Sequence, residues 1–225
     1  MGTVAMDFAR SLRRIGAIGD IHGEARYLET ALKFLSAANL DLILSVGDIT
    51  DGPDNVSRCC QLLQQYQVAT VRGNHERWFL AGKMRDLPDA TFDADLDQQS
   101  RAFLSALPLT QTFETVAGRL LLCHGLGEYD MGGVWPGDFG YALESNLALS
   151  RLILEGQYRF VINGHTHQRM VRSFNHLTII NAGTLYREHR PCFLLADFEA
   201  QFVQFFDLPN NSKSIKGDLF QLPGS

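Results

Sequence analysis

An α/β fold in a single domain is what this sequence predicts, and three observations predict it. Short apolar runs alternate with helical patterns through the first 165 residues, the rhythm of strands buried on both faces and joined by crossover helices. Each of the five runs in that stretch ends in a Gly- or His-containing turn. Beyond residue 168 the pattern changes to strands without helices, which reads as antiparallel hairpins.

Taken in order, Arg14 to Ile18 is the first strand. After Gly23, Leu28, Ala31, Leu32 and Leu35 recur at helical spacing and predict a helix over 25–38, before Asp41 to Val46 forms the second strand. A helix over 54–65 follows Pro53, Val68 to Val71 is the third strand, and Arg119 to Cys123 and Arg159 to Ile162 complete the five. Residues 77–113 form an insertion in which Trp78, Phe79, Leu80 and Met84 pattern as one helix and Phe103, Leu104 and Leu107 as another, with core packing the expected job of most. Met170 to Phe174, Leu177 to Ile180, Cys192 to Asp197 and Gln201 to Phe206 are the hairpin strands. One domain is expected over 1–225 with its core at 14–207. The tail 208–225, carrying Pro209, Asn210, Asn211, Ser212 and Gly217, is expected to lie loosely on the surface.

With 45% hydrophobic and 20% charged residues in a chain of 225, the composition is that of a globular protein and excludes disorder, collagen and coiled coil. The 20 Lys+Arg against 25 Asp+Glu, a net charge of -5, exclude the electrostatic footprint of a protein that holds a long nucleic acid, but leave room for a nucleotide or short phosphate ester. The cysteines, Cys59, Cys60, Cys123 and Cys192, fit neither a paired zinc site nor a disulfide framework, so they are expected to be free thiols in a reducing compartment. Met1 to Met6 leads to Arg10, Arg13 and Arg14 without an apolar leader region, and no run approaches the ~20 apolar residues of a membrane span. A cytoplasmic location without membrane association is the expectation.

Function is carried by where the polar residues fall. Gly19-Asp20-Ile21-His22-Gly23, Gly47-Asp48, Gly73-Asn74-His75-Glu76, His124-Gly125 and Gly164-His165-Thr166-His167 each sit just after a predicted strand. Carboxyl ends of strands in such sheets gather the ligand site, because the loops converge there. Five of the seven histidines lie in these motifs, leaving out only His176 and His189. One Gly-Asp after a strand is an ordinary turn, and one histidine an ordinary hydrogen-bonded core residue. Five strand ends in succession that acquire metal-binding residue types are neither. The set is one of oxygen and nitrogen donors with no thiolate, and it is large enough for two metal ions. Asp48 could bridge them at the roughly 3.5–4 Å separation used in two-metal phosphoryl hydrolysis.

These blocks resemble the ordered signature of the calcineurin-like metallophosphoesterase superfamily, D-x-H, G-D-x-x-D, G-N-H-[DE], H and G-H-x-H, over residues 19–167. The resemblance implies two mixed β-sheets packed face to face and flanked by helices. It implies Asp20, His22 and His167 as ligands of one metal, Asn74, His124 and His165 as ligands of the other, and Asp48 as the bridge. His75 is similar to the family's catalytic histidine, which assists the leaving oxygen without binding metal, and Asp51 to the residue that orients it. Two divalent ions are implied, Mn²⁺ first, with Fe, Zn²⁺ or Ni²⁺ also suited to the donors.

Departures from the pattern narrow the reading. Members of the Ser/Thr protein phosphatase branch place an Arg after the second Asp to grip phosphate, whereas Gly52 and Pro53 follow Asp51 here. Arg72-Gly73-Asn74-His75-Glu76 is similar to that branch, but Gly164-His165-Thr166-His167 is closer to the compact bacterial and archaeal phosphodiesterases. The expected reaction is hydrolysis of a small or nucleotide-type phosphodiester by metal-bound hydroxide. A protein-phosphatase-like monoesterase is the alternative, and a non-catalytic metal-binding scaffold is the rival of another class. The loop Gly125 to Glu144, with Tyr129, Met131, Trp135, Phe139 and Tyr141, either faces the substrate or covers the core.

Overall fold

A computed structural model describes residues 11–209 and 215–223. The N-terminal stretch Met1 to Arg10, read above for the absence of a leader, lies outside the described residues.

In chain order the first half holds β1 (Arg14–Ile18), α1 (Ala25–Ser36), β2 (Leu42–Ser45), α2 (Val56–Gln65), β3 (Ala69–Thr70), α3 (Asn74–Leu80) and α4 (Gln98–Ala106). There follow β4 (Thr110–Thr115), β5 (Gly118–Cys123), α5 (Tyr141–Glu144), α6 (Leu147–Glu155), β6 (Phe160–Asn163), β7 (Met170–Phe174), β8 (Leu177–Asn181), β9 (Cys192–Asp197), β10 (Phe202–Asp207) and β11 (Ile215–Gln221). They form a six-stranded sheet ordered β11-β10-β9-β1-β2-β3 and a five-stranded sheet ordered β4-β5-β6-β8-β7. Both are mixed. β1 runs parallel to β2 but antiparallel to β9, and β6 lies parallel between β5 and β8 while β4 and β7 close the edges antiparallel.

The period-2 alternation of strand side chains explains why the sheets stack. Ile15 and Ala17 of β1, Leu194 and Ala196 of β9, Leu120 and Leu122 of β5, and Phe160 and Ile162 of β6 form one core between the sheets. The alternate residues face helices: Ile18 and Phe193 meet α1 and α2, while Leu121, Val161 and Ile179 meet Leu149 and Leu152 of α6. A helix, sheet, sheet, helix order results, with both faces of each sheet covered.

Helix starts follow the local chemistry. The side chains of Asn55, Asp97 and Asn146 accept hydrogen bonds from the backbone N–H of Arg58, Ser100 and Leu149, at 2.8, 2.6 and 3.0 Å. The expected helix through Met84 instead ends at Leu80, because Gly82 takes a left-handed φ of +62° two residues later and Met84 is exposed. β4 and α6 were not expected. Thr110-Gln-Thr-Phe-Glu-Thr buries only Phe113 and Thr115, too weak an alternation to read alone.

The four cysteines are free and buried, and burial pushes the Cys60 and Cys123 thiols up to about 12. Among the described residues no helix is long and apolar enough to cross a membrane.

The expected loose tail is corrected: residues 215–221 are β11, paired antiparallel to β10 at the sheet edge. Gln204 draws the strand in by donating to the carbonyls of Gly217 and Asp218 at 2.9 and 3.1 Å, and Leu222 is buried at its end. Pro and Asn suggested a surface tail, but pairing with an open edge overrides that local preference. A chain ending at Leu208 should therefore lose at least about 2 kcal/mol of stability, roughly the burial of one leucine. Urea denaturation followed by circular dichroism measures it, and an unchanged midpoint would show β11 to be an ornament.

Candidate metal centre

All five motif loops converge at the carboxyl ends of β1, β2, β3, β5 and β6, at one edge of the sandwich where both sheets open. Turning a polar side chain back over a strand end requires an unusual backbone. His22, Asp48, Asp51, His165 and His167 accordingly take φ values of 44°, 45°, 59°, 66° and 58°. Asp, Asn and His tolerate this left-handed region better than other non-glycine residues, but each still stores strain that the surroundings must hold. Gly164 leaves room for the convergence: a Cβ there would sit 2.6 Å from Asp20 Oδ1 and 2.5 Å from Val46 Cγ2.

Tautomers follow from the hydrogen bonds. His22 Nδ1 donates to the Asp51 carbonyl at 2.9 Å, which leaves the Nε2 lone pair aimed at His167 Nε2, 3.0 Å away. His124 Nδ1 donates to the Val46 carbonyl at 2.9 Å, and its Nε2 faces Asn74 Oδ1 at 2.9 Å and Asp48 Oδ2 at 3.2 Å. His165 Nδ1 lies 3.0 Å from the same Asn74 oxygen, and its backbone N–H donates to Asp20 Oδ1. Asp20 Oδ2 is buried without any hydrogen-bond partner, 3.8 Å from His167 Nε2. His22 Nε2 is thus left as an acceptor turned into the cluster, and one buried oxygen of Asp20 has no hydrogen-bond partner.

Such an arrangement costs several kcal/mol per orphaned charge unless a cation fills it. The donors form three groups whose ligand atoms lie within 4.8 Å of one another: Asp20 with Asp48 and His167, Asp48 with His124 and His165, and His22 with Asp48 and His75. Asp48 belongs to all three, the position a bridge needs. The residues fit a pair of cations, by the orphaned oxygen and by the chemistry of the donors. His75 differs from His22 and His124 in that its Nδ1 is held by a carboxylate, Asp51 Oδ2 at 2.8 Å, where theirs meet backbone carbonyls.

The charges show what protons do when no cation is bound. Burial raises the Asp20 carboxyl to about 7, reinforced by Asp48 and opposed by His124. Burial also opposes the Asp48 charge, but His124, His75 and His22 outweigh it and hold that carboxyl well below the usual range. His124 would be discharged by burial alone, and Asp48 and Asp20 instead raise it to about 10. Burial and the neighbouring His22 lower His167 to about 3, and burial lowers His22 and His165 as well. The His124 imidazolium is therefore set against the Asp48 carboxylate.

Residues outside the predicted set build the frame. Glu76, fully buried, accepts from Ile49 N at 2.6 Å, Thr50 N at 2.9 Å and Gly73 N at 2.8 Å, and so ties the Asp48 loop to the Asn74 loop. It closed the Gly73-Asn74-His75-Glu76 motif, but its position there did not reveal its work. Arg85 grips Asp51 with two bonds of 2.8 and 2.9 Å, while Thr91 N donates to Asp51 Oδ1 at 2.8 Å. Burial opposes the Asp51 charge, and His75, Arg85 and Thr91 together hold its carboxyl below the usual range. His189, left outside the motifs, places Nδ1 2.8 Å from His167 Nδ1. No local signal marks either Arg85 or His189, since each acts through a residue distant in sequence. His176 remains apart, in the turn between β7 and β8.

Comparisons with known proteins bear on the family and the fold. Residues 14–201 match the calcineurin-like phosphoesterase superfamily domain. Serine/threonine-protein phosphatase 2 of Escherichia coli is 43% identical over 70 residues, which span 30% of this chain and 32% of that protein, so the likeness covers about a third of each. A metallophosphoesterase from Sphaerobacter thermophilus superposes with a TM-score of 0.64 at 21% identity, covering 88% of each chain. The hypothetical protein PH1004 from Pyrococcus horikoshii superposes at 0.66 and 16% identity, over 94% of this chain and 88% of that one.

Cation uptake must displace the proton on His124, and below about pH 7 also that on Asp20. Both groups have raised pKa values, so acid favours their protonated forms and weakens cation binding. Calorimetric titration of metal-free protein with Mn²⁺ in buffers of different ionisation enthalpy should show at least one proton released at pH 7.5 and affinity falling toward pH 6. Proton-independent binding would place the cation elsewhere.

Proposed function

This chain belongs to the calcineurin-like phosphoesterase superfamily, and from that premise we propose that it is a metal-dependent phosphodiesterase acting on small or nucleotide-type phosphodiesters. The observation that carries the proposal is the His75–Asp51 pair, 2.8 Å apart beside the Asp48 cluster. A scaffold that only bound metal would have no use for an imidazole oriented in this way. Asp20, His22 and His167 would hold one cation, Asn74, His124 and His165 the other, with Asp48 shared. When bound, the two cations offset charge on the phosphoryl oxygens and acidify a water.

The chain's own residues do the rest. Asp51 accepts the Nδ1 proton of His75, turning Nε2 toward the cluster, and Arg85 keeps Asp51 charged and in place. Burial would lower the His75 pKa, but the Asp51 bond and the Asp48 charge more than offset it and raise the imidazole from its ordinary value, the direction that suits a group giving a proton to a leaving oxygen. The Trp78 indole, 4.7 Å from the His75 ring centre, limits its movement.

Preference for diesters is supported at the position where phosphatases of the family's Ser/Thr branch carry Arg. A Cβ on Gly52 would sit 1.7 Å from the His22 carbonyl oxygen, so no side chain fits at that point of the loop. The protein-phosphatase reading has one observation in its favour, the local identity to the Escherichia coli enzyme named a serine/threonine-protein phosphatase. The donor set suits Mn²⁺ first, then Fe, Zn²⁺ or Ni²⁺. Buried free thiols and a net charge of -5 fit a cytoplasmic enzyme that does not hold long nucleic acids.

Protein loaded with Mn²⁺ should hydrolyse bis(4-nitrophenyl) phosphate faster than 4-nitrophenyl phosphate or a phosphoserine peptide, and chelation should abolish the activity. A reversed order would make it a monoesterase, and no turnover with full metal content would make it a scaffold. Asp48→Asn should lower the content of both metals, since a bridge serves two ions. His75→Ala should keep both ions while losing roughly 10²- to 10⁴-fold in turnover on esters with alkoxide leaving groups, and less with nitrophenolate, which needs little protonation. Loss of a metal equivalent in that variant would make His75 a ligand.

A further inference from the structure

A cavity of about 500 Å³ opens directly beside the metal centre, with His167 in its wall. The ion pair of Arg169 with Asp218 closes one side of it, and two of its walls lie outside the motifs. One is the segment Tyr186 to Arg190, which presents His189 and Arg190. The other is the loop from Gly133 to Asp138, which contributes Pro136. The cavity lies within the size range of small-ligand sites.

Both walls are held rigidly. Arg187 forms a bidentate pair with the fully buried Glu24, at 2.7 and 2.8 Å, and its backbone N–H donates to the same carboxylate at 2.9 Å. Glu24 lies two residues after His22, so the Tyr186 to Arg190 segment is bolted to the loop that carries Asp20 and His22. The opposite loop is pinned by Arg172, whose guanidinium donates to the carbonyls of Trp135 and Asp138, each at 2.9 Å. Asn146 adds a bond to the Gly133 carbonyl at 2.9 Å. A Cβ on Gly133 would lie 2.8 Å from the Thr166 methyl and 3.3 Å from the Trp135 ring, so the indole stands beside Thr166, between His165 and His167 in sequence.

What the walls offer is chemically specific. Arg169 is already paired with Asp207 and Asp218, whereas among the described residues no carboxylate pairs with the exposed Arg190. Trp135 is 42% exposed on a loop with a fixed backbone, and burying so large a ring against solvent gains nothing for the fold as it stands. A guanidinium without a carboxylate partner among the described residues and a part-exposed indole near Thr166 at the cavity rim, both on segments with fixed backbone, suit a ligand with one negative group and one planar ring. We propose that this cavity binds the nucleotide half of the substrate, with the base against Trp135 and its own phosphate on Arg190, so that the natural substrate is a diester in which a second nucleotide flanks the reacting phosphate.

The inference rests on the phosphodiesterase reading, and direct binding separates the two. Adenosine 5′-monophosphate serves as the stand-in for the nucleotide half, with adenosine and inorganic phosphate as its two fragments. In chelator-treated protein the monophosphate should still bind and quench tryptophan fluorescence, because the cavity is built from the chain alone, while inorganic phosphate should bind only to the metal-loaded form. Trp135→Ala and Arg190→Met should each weaken nucleotide binding roughly tenfold or more, the ordinary worth of a base stack or a charged phosphate contact. Trp135→Phe should restore most of the affinity lost by Trp135→Ala. With metal-loaded protein, the Ala and Met variants should raise KM for the dinucleotide pdApdA by a similar factor. Nucleotide binding no tighter than that of inorganic phosphate, or insensitive to both variants, would overturn the assignment. Turnover of bis(4-nitrophenyl) phosphate alongside that result leaves the phosphodiesterase reading standing. Nucleotide binding without turnover of any ester would overturn that reading instead.

Discussion

The carboxylate of Asp48 is buried where the loops of two sheets meet, and most of this end of the molecule is arranged around its charge. It lies 3.2 Å from His124 and 4.0 Å from both His22 and His75, and it accepts the His75 backbone N–H at 3.0 Å. A carboxylate so placed has exchanged water for imidazoles and backbone, and without positive charge its desolvation would outweigh what the surrounding contacts return. Asp20, equally buried, has one oxygen with no partner at all. Two carboxylates confined in one dry space make positive charge beside them a condition of the architecture, and His124 supplies part of it.

That condition explains the rigidity of the frame. The left-handed backbone at His22, Asp48, Asp51, His165 and His167 is not what these residues would choose in a free chain. Glu76 holds three backbone N–H groups of two loops on a single carboxylate, and Glu24 holds Arg187 across the third. Each of these carboxylates is fully buried but saturated with donors, the circumstance in which burying a charge organises a site instead of destabilising it. The sheets supply the platform, since their two faces are packed and leave only the strand ends free to carry chemistry.

A second consequence concerns His75. Its ring is set by Asp51 below and Trp78 alongside, and Asp51 is itself fixed by Arg85 and Thr91 from the insertion between α3 and α4. The insertion therefore reaches the site through one carboxylate. The segment Tyr186 to Arg190 reaches it through another, since Glu24 fastens that segment beside His22. Chain segments outside the motifs thus tune a centre that the motifs build.

Much of this was legible in the sequence. Short apolar runs in β1, β5, β6 and β9 and helical spacing in α1 express burial directly, because a strand covered on both faces and a helix covered on one leave different apolar patterns. The ligand types at successive strand ends were legible for the same reason: metal chemistry demands particular side chains, and strand ends are where a sheet can present them. The tertiary structure alone decided the rest. β11 was misread because strand pairing at an edge depends on the partner, not on the Pro- and Asn-rich segment before it. Arg85, His189 and the Glu24–Arg187 pair carried no local pattern, because each works by contact with residues 22 to 163 positions away in the chain. A sequence records which side chains are available, but distances between them are set only when packing closes the loops onto one another.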